Sequence, residues 1–147
     1  MANKSHIERL HSPDLVTTYE QTAKGKGVIA SPLEYDELMQ IVPKGKLVTI
    51  EELQTALAKK HKVDYSSSQF ARLYINMVAQ ASVEQMVLGS RNATPYWRTL
   101  RRNGELNESY PGGIEAHRLK LELEGHTVIL KGKRYFVQNY QQQLCRL

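Results

Sequence analysis

Apolar positions fall into helical spacing in several stretches, and the residues between them carry the signals that start and stop helices. Ser31-Pro32-Leu33-Glu34 reads as a capping box with proline in the first turn. Leu33, Leu38, Ile41 and Val42 follow as a rough apolar stripe, and Pro43-Lys44-Gly45-Lys46 ends the helix in a turn. Leu47-Val48 suits a short strand. Thr49-Ile50-Glu51-Glu52 is a second capping box, with Leu53, Leu57 and Ala58 at helical spacing behind it. That helix closes on Lys59-Lys60-His61-Lys62, cations that suit a helix C-terminus. Ser66, with Gln69 three residues on, predicts a third helix through Phe70, Leu73, Tyr74, Met77 and Val78. Short helices joined this way outline a helix-turn-helix unit.

Beyond Ser82 the pattern weakens, and residues 83–94 read as a loop with at most a turn of helix. Tyr96 to Leu100 is short and apolar. Asn103-Gly104 is a tight-turn signal, and Pro111-Gly112-Gly113 breaks the chain again. Ile114 to Glu124 predicts a helix with Ile114, Leu119, Leu121 and Leu123 as apolar positions and Gly125 as its stop. Leu121 and Leu123 cannot share a helical face, so one of them must be the more exposed. Thr127–Lys131 and Arg134–Gln138 flank Gly132 as a β-hairpin. The first thirty residues are weakly patterned and read as an N-terminal extension with at most one short helix around residues 14–22. The domain proper spans residues 31–147. The predicted fold is mainly α with small β elements, a helix-turn-helix followed by a hairpin, which is winged-helix-like.

Composition narrows the classes. At 147 residues with 41% hydrophobic and 24% charged content, the chain reads as one globular domain. No apolar run approaches the roughly 18 residues of a membrane span, and the N-terminus lacks the apolar core of a signal peptide. The expected setting is the cytoplasm. The single cysteine, Cys145, can form no internal disulfide and no thiolate zinc cluster. His6, His11, His61, His117 and His126 are scattered without metal-ligand spacing, so neither metal nor cofactor is expected. There is no nucleophile elbow, phosphate-binding P-loop or dinucleotide fingerprint.

The net charge of +5 is uneven. Residues 1–42 carry four Lys/Arg against six Asp/Glu, and residues 43–147 carry 16 against nine. An anionic partner would therefore meet the later part of the chain. Arg91, Arg98, Arg101 and Arg102 cluster around Tyr96 and Trp97. Arginine grips phosphate and aromatic rings stack on bases. A solvated arginine face over a core Tyr96 and Trp97 explains the same residues.

Around Pro95-Tyr96-Trp97-Arg98 a family pattern emerges. The 85 residues from Ile41 to Gly125 resemble the C-terminal DNA-binding domain of O6-alkylguanine-DNA alkyltransferases, and most closely their cysteine-free relatives, the alkyltransferase-like proteins. The resemblance rests on Val42-Pro43-Lys44-Gly45-Lys46-Leu47-Val48-Thr49, on Arg72 at a helix start, and on Pro95-Tyr96-Trp97-Arg98 in place of the P-C-H-R active-site segment. Asn103-Gly104, Tyr110-Pro111-Gly112-Gly113 and Leu121-Glu122-Leu123-Glu124-Gly125 follow in the family's order. It implies a winged helix-turn-helix that binds double-stranded DNA, with Glu124 close to the Pro95–Arg98 segment. Arg72, Lys44, Lys46, Tyr74, Asn76 and Arg98 are the implied DNA contacts. Tyr96, Trp97, Thr99, Tyr110, Pro111, Gly112 and Glu124 are the implied lining of a pocket for a flipped base.

The departures are specific. Tyr96 stands where the enzymes keep the attacking cysteine and Trp97 where they keep the histidine, leaving only Glu124 of that relay. A phenol with no adjacent base is a poor nucleophile, so alkyl transfer is not expected. Leu73, Tyr74, Ile75 and Asn76 replace the small residues that follow the family's arginine, and Ile50 replaces a tyrosine. The implied role is non-enzymatic: binding alkylated guanine in DNA so that a repair-protein partner can act. A winged-helix regulator that flips no base, and a degenerate family member used for protein–protein contact, are the alternatives.

Overall fold

The structure, a computed structural model, describes residues 4–147. It mixes helix and sheet. The α-helices are α1 (His6–Leu10), α2 (Pro32–Gln40), α3 (Ile50–His61), α4 (Ala71–Val87) and α5 (Gly113–Leu123). The strands are β1 (Thr18–Thr22), β2 (Gly25–Ile29), β3 (Val48–Thr49), β4 (Tyr65–Ser66), β5 (Thr99–Leu100), β6 (Val128–Lys131) and β7 (Arg134–Val137). They form three small sheets, ordered β1-β2-β4, β3-β5 and β6-β7.

The early segment departs most from expectation. In place of a helix around residues 14–22 stands β1, paired antiparallel with β2 so that Thr18 faces Ile29 and Thr22 faces Gly25. β2 in turn runs parallel to β4, with Gly27 opposite Tyr65. That approach requires glycine, because a Cβ at Gly27 would lie 2.4 Å from Tyr65 Cζ. The short α1 is capped from outside: the Glu84 carboxylate on α4 accepts the backbone N–H groups of His6 and Ile7 at 3.0 and 3.2 Å. Leu10, Val28 and Ala30 are buried in the same core as Tyr35, Met39, Leu53, Leu57, Ile75 and Val78. Residues 4–30 thus complete the core on which α2, α3 and α4 pack.

Two helix starts also differ. Ser31 makes no side-chain cap to α2. Its expected partner Glu34 instead accepts from Lys60 and from His61, each at 2.7 Å, and from the Thr17 hydroxyl. Burial would raise the pKa of Glu34, but these donors outweigh it and hold the carboxyl below its usual value. Glu52 does serve α3, accepting the Thr49 backbone N–H at 3.0 Å. Ser66 belongs to β4 and α4 starts at Ala71, because the Ser67 N–H is taken by the Val28 carbonyl at 2.8 Å. α4 then runs past Ser82 to Val87, through positions read as loop.

A second core joins Leu47, Leu100, Leu106, Leu121 and Val137. Leu121 is fully buried while Leu123 is 74% and Leu119 61% exposed, so the inward stripe of α5 is Ile114–His117–Leu121. The chain end closes over this core. The Leu47 N–H donates to the Gln143 carbonyl and the Cys145 N–H to the Leu47 carbonyl, at 2.9 and 2.8 Å. Among the described residues no helix is long and apolar enough to cross a membrane.

Gly27→Ala should force Tyr65 off Gly27 and cost about 2 kcal/mol. A lower urea midpoint with an unchanged m-value would show it.

Candidate nucleic-acid interface

The turn after α2 needs Gly45 at φ +83°, a left-handed conformation that costs glycine little. Its Lys46 N–H donates to the Pro43 carbonyl at 3.0 Å, and Lys44 and Lys46 point to solvent. Gly45 borders a cavity of about 200 Å³ lined by Glu124, Gly125, Gln138, Asn139 and Gln142. Arg72 is exposed at the second position of α4 and makes no ion pair among the described residues. Arg72, Lys44 and Lys46 are thus open to a polyanion.

The other three implied contacts are not open. Tyr74 is buried, stacked on Phe70 at 5.6 Å and edge-on to Tyr35 at 6.3 Å, so it serves the core. The Asn76 side-chain oxygen accepts from Asn107 at 3.0 Å. Arg98 clamps Glu124 bidentately, Nε to Oε1 at 2.9 Å and Nη2 to Oε2 at 2.6 Å, while Nη1 reaches the Val42 carbonyl at 2.7 Å. Burial works to raise the Glu124 pKa, but Arg98 outweighs it and keeps the carboxylate ionised. Glu124 does lie against the Pro95–Arg98 segment, as the family pattern implied.

The implied base pocket is filled. Tyr96, in a 3₁₀ turn spanning Tyr96–Arg98, is only 2% exposed. Its ring meets Trp97 edge-on at 5.4 Å and Tyr110 edge-on at 5.0 Å, and Tyr110 continues to His117 at 4.9 Å. Tyr110 donates its hydroxyl to the Thr99 carbonyl at 2.8 Å, and Thr99 is itself buried. Tyr96, Thr99 and Tyr110 therefore fill the interior, because T-shaped rings at these distances leave no room for a base between them. Trp97, Pro111 and Gly112 remain at the rim, with Lys120 Nζ 4.7 Å and Arg98 Cζ 5.5 Å from the Trp97 ring. Burial pushes the Tyr96 and Tyr110 phenols above their ordinary pKa, so both stay protonated.

His117, read as one of five scattered histidines, is the polar centre of this stack. The Asn107 N–H donates to Nδ1 at 3.1 Å, which leaves Nε2 to carry the proton donated to the Trp97 carbonyl at 2.8 Å. Its place between Ile114 and Leu121 at helical spacing is the signal that could have found it.

The chain superposes on a crystal structure of Atl1 from S. pombe, solved with damaged DNA containing O6-carboxymethylguanine, with a TM-score of 0.53 over 79% of this chain and 94% of that one. The chain shares its fold with Atl1. Sequence identity to Atl1 is 17%, and neither a family model nor a curated protein matches the chain.

Burial lowers the His117 pKa from 6.5 to about 4, although the Trp97 carbonyl opposes it. Between these values the unfolded chain takes up a proton that the folded protein refuses. Stability should therefore fall as pH drops from about 6.5 to about 4, by up to about 3 kcal/mol. His117→Gln should be less stable at neutral pH yet flatter across that window in urea titrations at stepped pH.

Proposed function

We propose that the protein binds duplex DNA as a winged helix-turn-helix of the alkyltransferase-like kind and transfers no alkyl group. The observation that carries this reading is the free, exposed Arg72 at the start of α4, on a fold shared with Atl1. In this reading α3 and α4 are the helix-turn-helix, β6–β7 is the wing, Arg72 enters the groove, and Lys44 and Lys46 hold phosphate. The chemistry of the Pro95–Arg98 segment supports the non-enzymatic part. Tyr96 is a buried, protonated phenol, Trp97 offers no base, and the Glu124 carboxylate is held by Arg98.

Recognition of alkylated guanine, with a repair protein acting on the marked site, is the specific form suggested by the DNA that Atl1 holds. A second form has a specific observation in its favour. The closed Tyr96–Tyr110–His117 stack supports duplex binding with no flipped base.

Arg72→Ala should weaken duplex binding about tenfold or more in gel-shift titrations and leave the melting temperature unchanged; intact binding would remove the helix-insertion mode. Incubation with O6-methylguanine duplex should add no mass to the protein. Comparing that duplex with its unmodified twin separates the two forms: tighter binding to the lesion supports damage recognition, and equal affinity supports binding without flipping.

A further inference from the structure

The β1–β2 hairpin is held more firmly than an appendage requires. β2 pairs with β4, the strand that leads into α4, and the Asp64 carboxylate accepts the Lys26 N–H at 2.8 Å. Glycines at positions 25 and 27 let the two backbones meet, since a Cβ at Gly25 would fall 2.1 Å from Asp64 Oδ2. The hairpin tip is thereby fixed across from the Ser66–Gln69 turn that precedes α4. Between them opens a groove of about 600 Å³.

Its walls come from three places: Thr22 and Lys24 on the hairpin tip, Ser68 and Gln69 with Gln54 on the helix-turn-helix, and Arg102 after β5. These side chains are rich in hydrogen-bond donors. Lys24 makes no ion pair among the described residues, and Arg102 stands 3.7 Å from Glu51 with its side chain 78% exposed. One carboxylate also faces the groove, Glu20, and it is occupied by the Tyr65 hydroxyl at 2.8 Å. A donor-lined cleft with two solvent-exposed cations matches a sugar–phosphate strand, whose oxygens are all acceptors.

We infer that the groove between the β1–β2 hairpin and the Ser66–Gln69 turn seats a phosphate-backbone strand of bound duplex, with Lys24 and Arg102 as its phosphate contacts. The inference rests on the DNA-binding reading and extends it to a segment outside the family-like stretch. The hairpin becomes an added wall of the DNA surface, so the acidic early part of the chain contributes one cation where the strand passes.

The test measures duplex affinity against salt for the unaltered protein and for Lys24→Glu, Arg102→Glu and the pair. Each single change should flatten the slope of log affinity against log salt by about one, and the pair should weaken binding about tenfold or more at about 0.1 M salt. Melting temperatures should not move, since both side chains are exposed. A cleavage reagent tethered at Lys24→Cys in a Cys145→Ser background should cut one DNA strand at a defined position. Unchanged slopes and affinities, or no defined cut, in a protein that still binds duplex would overturn the groove alone. If the unaltered protein binds no duplex at all, the DNA-binding reading falls and the groove falls with it.

Discussion

The clamp made by Arg98 organises the family-like part of the molecule. One guanidinium joins the 3₁₀ turn of Tyr96–Arg98 to the carbonyl at the end of the α2 segment and to the carboxylate just beyond α5. Arg98 and Glu124 side chains are 13% and 8% exposed, so the pair is shielded from water and its geometry is bidentate. A buried ion pair is weak evidence for net stability, but losing either partner would strand the other charge. The clamp therefore acts chiefly as a register lock. It sets where the Pro43–Lys46 turn sits, how the second core meets the first, and which way Tyr96 faces.

Tyr96 then faces inward. The segment delivers an aromatic ring to a stack completed by Tyr110 and His117. His117 is satisfied only in the neutral state, with one ring nitrogen accepting and the other donating. What stays outside is Arg72 and the two turn lysines, with Trp97 half-buried beneath Lys120.

Much of the framework was legible because its signals are local. The existence of α2, α3 and α5, the buried Leu53 and Leu57 of α3, the Gly45 turn and the β6–β7 hairpin follow from spacing, caps and turn residues within a few positions, whereas α2 buries Tyr35 and Met39 and leaves the expected Ile41 exposed. The β1–β2 hairpin was not legible. Thr18, Tyr19, Gln21 and Thr22 of β1 are exposed, so that strand shows no apolar alternation, and the hairpin is held through β2, which pairs with β4 about forty residues away. The Ser31 cap failed for the same kind of reason: Lys60 and His61, supplied by α3, compete for Glu34 and win.

The candidate site divides along the same line. The sequence by itself determined which residues to compare: its motif order put Glu124 near the Pro95–Arg98 segment and grouped Tyr110 with Tyr96, neighbours that the structure joins. Only the tertiary structure decided which of these residues are available. Tyr74 and Arg98 carry groups suited to DNA, yet one fills the core and the other is spent on Glu124 and Val42. Whether a polar side chain meets solvent or a neighbour depends on what long-range packing brings next to it, and no local pattern encodes that.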